Sequence, residues 1–251
     1  MFTMLADMAD VNTPDVHVGA TRRERLRAQT REEILRAARR LVAAGEPLTL
    51  RAVAGAVDVT APALYRYVDS HDDLVDLLGG SLYDELIEEL VRARDAVDET
   101  DLPSRLTAMA RAFRSWALTH RHEYALLFAN PLNATMAEAH ESGCTHEAGQ
   151  RFGALFAEVF AAMWEAGVVR SPDLSTVDPE LLRRLEVGDK GPVELPLGLR
   201  YLYVRGWARL YGTVTLEAFG HLHWAMDDTR TLFESMLADS AAEMGLAPPA
   251  R

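Results

Sequence analysis

Residues 49–71, TLRAVAGAVDVTAPALYRYVDSH, compress two helical periods into a span that holds only two brief helices and a tight turn. Leu50, Val53, Ala54 and Val57 recur at three- and four-residue steps, so a helix over Leu50 to Val57 buries one narrow face, with Thr49 placed to cap it. Asp58-Val59 breaks the period. Thr60 then stands where it can cap a third helix, running from Ala61 to about Val68. Pro62 falls in the first turn, whose N–H groups lack intrahelical partners, and costs that helix little. Asp58 sits where the chain turns, and Asp tolerates a positive φ better than most side chains. Two short helices joined this way form a helix-turn-helix, whose second helix carries side chains into the major groove of DNA.

The distribution of charge agrees with that use. The 251-residue chain carries 26 basic and 38 acidic residues, a net charge of −12 that taken as an average argues against a polyanionic partner. Yet residues 21–70 hold ten arginines against six acids, for +4, while residues 1–20 carry −3 and residues 71–251 carry −13. One short basic segment is set in an acidic protein, the pattern expected of a unit that meets nucleic acid. Within it Val53, Val57, Val59, Leu64 and Val68 can lock the two helices together, leaving Thr60, Ala61, Ala63, Tyr65, Arg66 and Tyr67 wholly or partly outward. Thr60 and the free N–H groups of the helix start suit a phosphate, and the two tyrosine hydroxyls can reach the backbone while their rings pack. Arg66 is the residue expected to read a base, because its fork pairs bidentately with O6 and N7 of guanine. The competing reading is a three-helix core on which Tyr65, Arg66 and Tyr67 are only surface.

The rest of the chain reads as all-α, with no alternating apolar pattern of a strand and no internal repeat. Residues 1–20 lack periodicity and are expected to be a flexible tail. A helix is predicted from Thr21 to Ala44, ended by Gly45 and Pro47, and a long one from His71 to about Val97, capped by Ser70. Further helices are expected over Ser104 to about His120, Tyr124 to Phe128, Ala134 to Glu141, about Gln150 to Ala166, Pro179 to Leu185, Leu199 to Phe219 and Met226 to Met244. Three parts follow: a tail over 1–20, a helix-turn-helix unit over 21–70, and a larger helical unit over 71–251.

Read as a whole, LTLRAVAGAVDVTAPALYRYVDSHDDLVDLL resembles the DNA-binding motif of the TetR family of transcriptional regulators, through Leu48-Thr49, Val53-Ala54, Val59-Thr60, Leu64-Tyr65, Tyr67, Ser70 and Leu74. Asp58 departs from the usual glycine, Val68 from the usual Phe, and His71 from the usual phosphate-binding lysine. An imidazole carries less positive charge near neutral pH, which weakens the implied contact. The close match covers roughly residues 21 to 80; beyond it the likeness is one of helical layout, with GWARLYGTVTLEAFGHL similar to the dimerisation helix of one subgroup. The resemblance implies a ligand-responsive regulator, most often a repressor, that binds a near-palindromic DNA operator as a homodimer and is released by a small-molecule effector. The residues expected at the DNA are Thr49, Thr60, Ala61, Ala63, Tyr65, Arg66, Tyr67 and His71.

An effector pocket would draw on the aromatics of the larger unit, and Trp116, Tyr124, Phe156 and Trp164 are the expected lining; the plainer expectation is that most of these rings are core. Small residues from Gly206 to Gly220 among Leu202, Trp207, Leu210 and Val214 would let two helices approach closely in a dimer. His140, Cys144 and His146 have the residue types of a metal site, but Gly143 interrupts the helix that would align the first two, no fourth ligand is close in sequence, and no metal or cofactor is expected. His120 and His122 are read as ending a helix, and His221 and His223 as surface or capping groups. Cys144 is the only cysteine, excluding an intramolecular disulfide. Without a secretory leader or an apolar span of roughly 18 residues, the protein is expected in the cytoplasm, away from membranes. No phosphate loop, nucleophile elbow or zinc-protease motif is present, so an enzyme is not expected. A helical adaptor that binds only protein is the other alternative.

Overall fold

The computed structural model describes residues 21–129, 143–188 and 193–246, and every regular element among them is a helix. In chain order they are α1 (Arg22–Ala43), α2 (Leu50–Ala56), α3 (Ala61–Leu64), α4 (His71–Asp95), α5 (Leu102–Thr119), α6 (Arg121–Phe128), α7 (Cys144–Glu165), α8 (Pro179–Val187), α9 (Leu197–Ala218) and α10 (Arg230–Glu243). The tail over 1–20, the segment Ala134 to Glu141 and His140 lie outside the described residues.

Local chemistry sets most of the boundaries. Thr21 and Glu24 form a capping box at the start of α1. At its end Gly45, with φ of 70°, lets Glu46 N–H reach the Leu41 carbonyl at 2.9 Å, closing a Schellman turn. Ser70 accepts from Asp73 N–H at the start of α4, and Asp101 accepts from Ser104 N–H at the start of α5.

Several helices differ from the sequence expectation. The third is only four residues long: after Leu64 the chain tightens into turns, with Arg66 N–H on the Ala63 carbonyl and Tyr67 N–H on that of Leu64. Val68 is still drawn into the core, 1% exposed. Helix α6 begins at Arg121, so His122 opens a helix instead of ending one, and its Nδ1 lies 3.1 Å from the Ala43 carbonyl at the end of α1. Helix α7 starts at Cys144, well before Gln150, because a distant side chain caps it: Asp76 of α4 accepts from Cys144 N–H at 2.8 Å and Thr145 N–H at 3.0 Å. Helix α10 starts at Arg230, after Met226, where Asp228 accepts its first free N–H.

Helix α4 is the axis of the molecule. It packs against α1, α5, α6 and α7, and its Leu74, Leu78, Leu82, Leu86 and Leu90 run through one continuous core that starts at Ile34 of α1 and ends at Phe233 of α10. Gly79 and Gly80 allow the closest crossing. A Cβ on Gly79 would lie 2.3 Å from Thr145 Oγ1, and one on Gly80 would lie 2.8 Å from Cys144 Cβ. Two glycines inside a helix cost roughly 0.5 to 1 kcal/mol each, offset here by bringing α7 onto α4.

The larger unit is also stapled by charge. Arg114 of α5 grips Glu217 of α9, which is 6% exposed, and Thr229 at the head of α10 donates to the same carboxylate. Arg39 of α1 clasps Glu85 of α4, which also accepts from the Trp116 indole N–H at 3.2 Å. Burial opposes the charge of Glu85, but these hydrogen bonds hold its carboxyl below the usual carboxylate range.

Candidate nucleic-acid interface and cavity

The helix-turn-helix is closed by backbone geometry. Thr49 caps α2, its hydroxyl oxygen accepting from Ala52 N–H at 3.1 Å. Val57 ends that helix, Asp58 follows with φ of 56°, and Val59 N–H returns to the Ala54 carbonyl at 3.0 Å. Asp58 is thus the residue in the left-handed region that the sequence reading placed there, doing the work of a glycine at that turn. Val53, Ala54, Leu64 and Val68 are buried, and Val57, Val59, Ala61 and Tyr67 pack half-buried against them.

Thr60 precedes α3 but makes no capping hydrogen bond with its side chain. Pro62 stands at the second helical position and has no N–H, while Ala63 N–H already bonds the Thr60 carbonyl at 2.8 Å. Its hydroxyl therefore remains exposed and open to another partner. Tyr65, 54% exposed, and Arg66 project to solvent, whereas Ala61, Ala63 and Tyr67 are half-buried. Of the eight residues expected at DNA, Thr49 and His71 already hold intramolecular contacts: His71 Nε2 lies 2.8 Å from the Leu48 carbonyl, joining the start of α4 to the entry of α2. That bond needs a proton on Nε2, leaving Nδ1 beside Asp72.

The aromatics of the larger unit divide. Phe113, Tyr124, Phe128, Phe152 and Phe156 pack ring against ring as core. Tyr124 is fully buried with its hydroxyl 2.7 Å from Thr215 Oγ1, and burial pushes its phenol up to about 12. A cavity of about 80 Å³ lies between α5, α7, α9 and α10, and of the four expected lining residues only Phe156 borders it. Trp116 faces Glu85, Tyr124 sits in the core, and Trp164 is 38% exposed. The cavity walls are instead Leu106, Phe156, Phe160, Trp207, Leu210 and Met236, together with three hydroxyls. Each hydroxyl already donates to a backbone carbonyl: Thr107 to Pro103, Tyr203 to Gly153, Ser240 to Met236. No charged side chain lines it.

Among the described residues no three His, Cys, Asp or Glu side chains gather where a metal could bind. Burial and the adjacent Asp76 carboxylate hold the Cys144 thiol above its usual value, which disfavours the reactive thiolate. No described helix is long and apolar enough to cross a membrane. Sequence reasoning missed Asp76 as a cap for α7; the glycine pair at 79–80, costly inside a helix, was the available signal that something docks there.

Comparison with known proteins places these features in context. The family model for the tetracyclin repressor-like C-terminal domain matches residues 106–240, more than half of the chain and the part where the sequence reading found only a shared helical layout. The HTH-type transcriptional regulators Rv1816 of Mycobacterium tuberculosis and Mb1846 of Mycobacterium bovis are each 32% identical over 178 residues, covering 69% of this chain and 73% of theirs. A crystal structure of the regulatory protein SCO4313 superposes with a TM-score of 0.66 at 26% identity, over 88% of this chain and all of that one. The complex of RolR with resorcinol shares the fold at 14% identity and a TM-score of 0.54, over 90% of this chain and 98% of that one.

Proposed function

Since the chain belongs to the TetR family of helix-turn-helix transcriptional regulators, we propose that it is a repressor that binds a near-palindromic operator as a homodimer and leaves it when a small-molecule effector enters the larger unit. Residues 21–70 are the DNA-binding unit in this reading and residues 71–251 the effector-binding and dimerisation unit. The observation that carries it is the exposed Thr60, Tyr65 and Arg66 on a closed helix-turn-helix in a basic segment where, among the described residues, Arg39 alone of ten arginines reaches a carboxylate. Arg66 reads a guanine edge, Thr60 and Tyr65 hold phosphates, and Tyr67 supports the turn from its half-buried position. His71 acts by fixing the α2 entry, through Leu48, as much as by touching a phosphate.

A second copy is needed because one head gives little specificity, and two heads about 34 to 36 Å apart fit successive major grooves. The supporting surface is on α9 and α10, where Val204, Leu216 and Leu232 are exposed and a Cβ on Gly212 would point into open space among the described residues. The effector is a neutral, largely apolar molecule. With every lining hydroxyl donating to the backbone, the cavity offers acceptor lone pairs and no counter-charge, so a ligand's polar group would be a donor such as an alcohol or phenol.

Coupling between the sites runs through α4, which borders the DNA-binding unit at His71 and is clamped to α7 by Asp76. An effector that spreads α5, α7 and α9 shifts α4 and the spacing of the two heads, to the extent that it binds the free form more tightly than the operator-bound form. Selection of bound fragments from genomic DNA with the full chain tests the reading. A palindromic site is expected, at which Arg66→Ala costs about 1 to 3 kcal/mol and relaxes preference at one base position. No enriched sequence at any salt concentration would favour the protein-binding adaptor.

A further inference from the structure

The first turns of α1 carry Arg22, Arg23, Arg25 and Arg27, ahead of Ile34, where that helix first enters the core; residues 21–29 are all exposed. Bases do not stabilise a helix at this end, where the dipole is positive. The one acid in the turn, Glu24, is held by Thr21 in the capping box, and those bonds lower its carboxyl below the usual range. None of the four arginines has a carboxylate within ion-pair distance among the described residues. The placement of Arg22, Arg23 and Arg25 therefore serves neither the helix nor the packing of the described residues.

Their position relative to the recognition element is specific. Arg22, Arg23, Leu26, Arg27 and Thr30 of α1 line an open cleft together with Arg66 and Tyr67 from beyond α3. Arg27 Nη2 donates to the Arg66 carbonyl at 3.3 Å, fixing α1 to the turn that follows α3. Four guanidinium groups thus converge on a groove continuous with the residue expected to read a base. No carboxylate borders the groove.

We propose that this cleft is a second DNA contact, receiving backbone phosphates of the strand that borders the major groove entered by α3. The inference rests on the DNA-binding reading above and extends it, because it adds a contact outside the helix-turn-helix and enlarges the operator footprint toward its outer flank. Guanidinium forks suit the task, pairing with phosphate oxygens bidentately and without reading sequence. Tyr67, half-buried against the core, anchors the side of the cleft that Arg66 shares.

The test compares the full chain with its Arg22→Ala/Arg23→Ala and Arg27→Ala variants on one selected duplex, over a salt series and by footprinting. The double variant is expected to flatten the slope of log affinity against log salt by about 1 to 2, so that its affinity changes roughly tenfold less between 50 and 200 mM salt. Its footprint should lose the outer flank while the preferred sequence stays the same. Arg22→Lys/Arg23→Lys should retain most of the slope. An unchanged slope and footprint in the double variant overturns this site and leaves the operator reading standing. A loss of affinity with no change in slope also overturns it. If the unaltered chain binds no duplex in dilute buffer, both readings fall together. The double variant does not touch the Arg27 bond to Arg66, so a result confined to Arg27→Ala would mark a positioning role for that residue alone.

Discussion

The arginines of the two parts of the chain are used differently. Of the ten in residues 21–70, Arg39 alone reaches a carboxylate among the described residues. Of the fifteen in residues 71–251, at least ten do, and the pairs of Arg111, Arg114, Arg151, Arg205 and Arg209 each join two helices. Acids are also plentiful near the first part, with Glu32, Glu33 and Asp69 within it. The difference teaches that charge in the larger unit is consumed in holding helices together, whereas in the smaller unit it is kept available to something outside the chain. Structural arginine and recognition arginine are separated by whether a carboxylate has been placed opposite.

The strongest way to break that comparison is to remove a staple. Glu217→Ala should cost about 3 to 5 kcal/mol in urea unfolding, because it strands the Arg114 side chain, 19% exposed, between α5 and α9. A loss below about 1 kcal/mol would mean that the pair is ornamental. Next in size is the helix crossing. Gly80→Val should destabilise by about 1 to 3 kcal/mol, since its side chain collides with Cys144 and the α7 backbone, and hydrogen exchange should rise first in α7.

Smaller effects belong to residues 21–70. Asp58→Val forces a branched side chain into the left-handed region and should cost about 1 to 2 kcal/mol, while Asp58→Gly should leave the melting temperature unchanged or raise it. Equal behaviour of the two variants would mean the turn has relaxed. Smallest of all is Arg51→Ala, a lone exposed arginine on α2, which should alter stability by less than about 0.5 kcal/mol. A larger loss would show that the unpaired arginines of this unit hold the fold after all, and would close the gap between the two parts.

Much of this architecture was legible from residue patterns. The caps at Thr49 and Ser70, the turn at Asp58 and the stop at Gly45 are decided within a few residues by hydrogen bonding and backbone sterics, so their signals are local. The start of α7 was not legible, because the group that satisfies its first N–H bonds is Asp76, sixty-eight residues earlier. Helix α3 was overestimated for a related reason: apolar spacing through Val68 is satisfied by tight turns as well as by a regular helix. The cavity residues followed the same logic. Large aromatics at helical spacing identify a core, but which of them border empty space depends on how four helices diverge.

What the residues determined alone was the helical character of the chain, its helix-turn-helix and the location of its excess positive charge, since periodicity, capping and charge all act between near neighbours. Only the tertiary structure decided which arginines find carboxylates, which helix docks at the glycine pair, and where a void remains between α5, α7, α9 and α10. Those outcomes depend on contacts between residues far apart in sequence, whose energies exist only once the helices have been brought together.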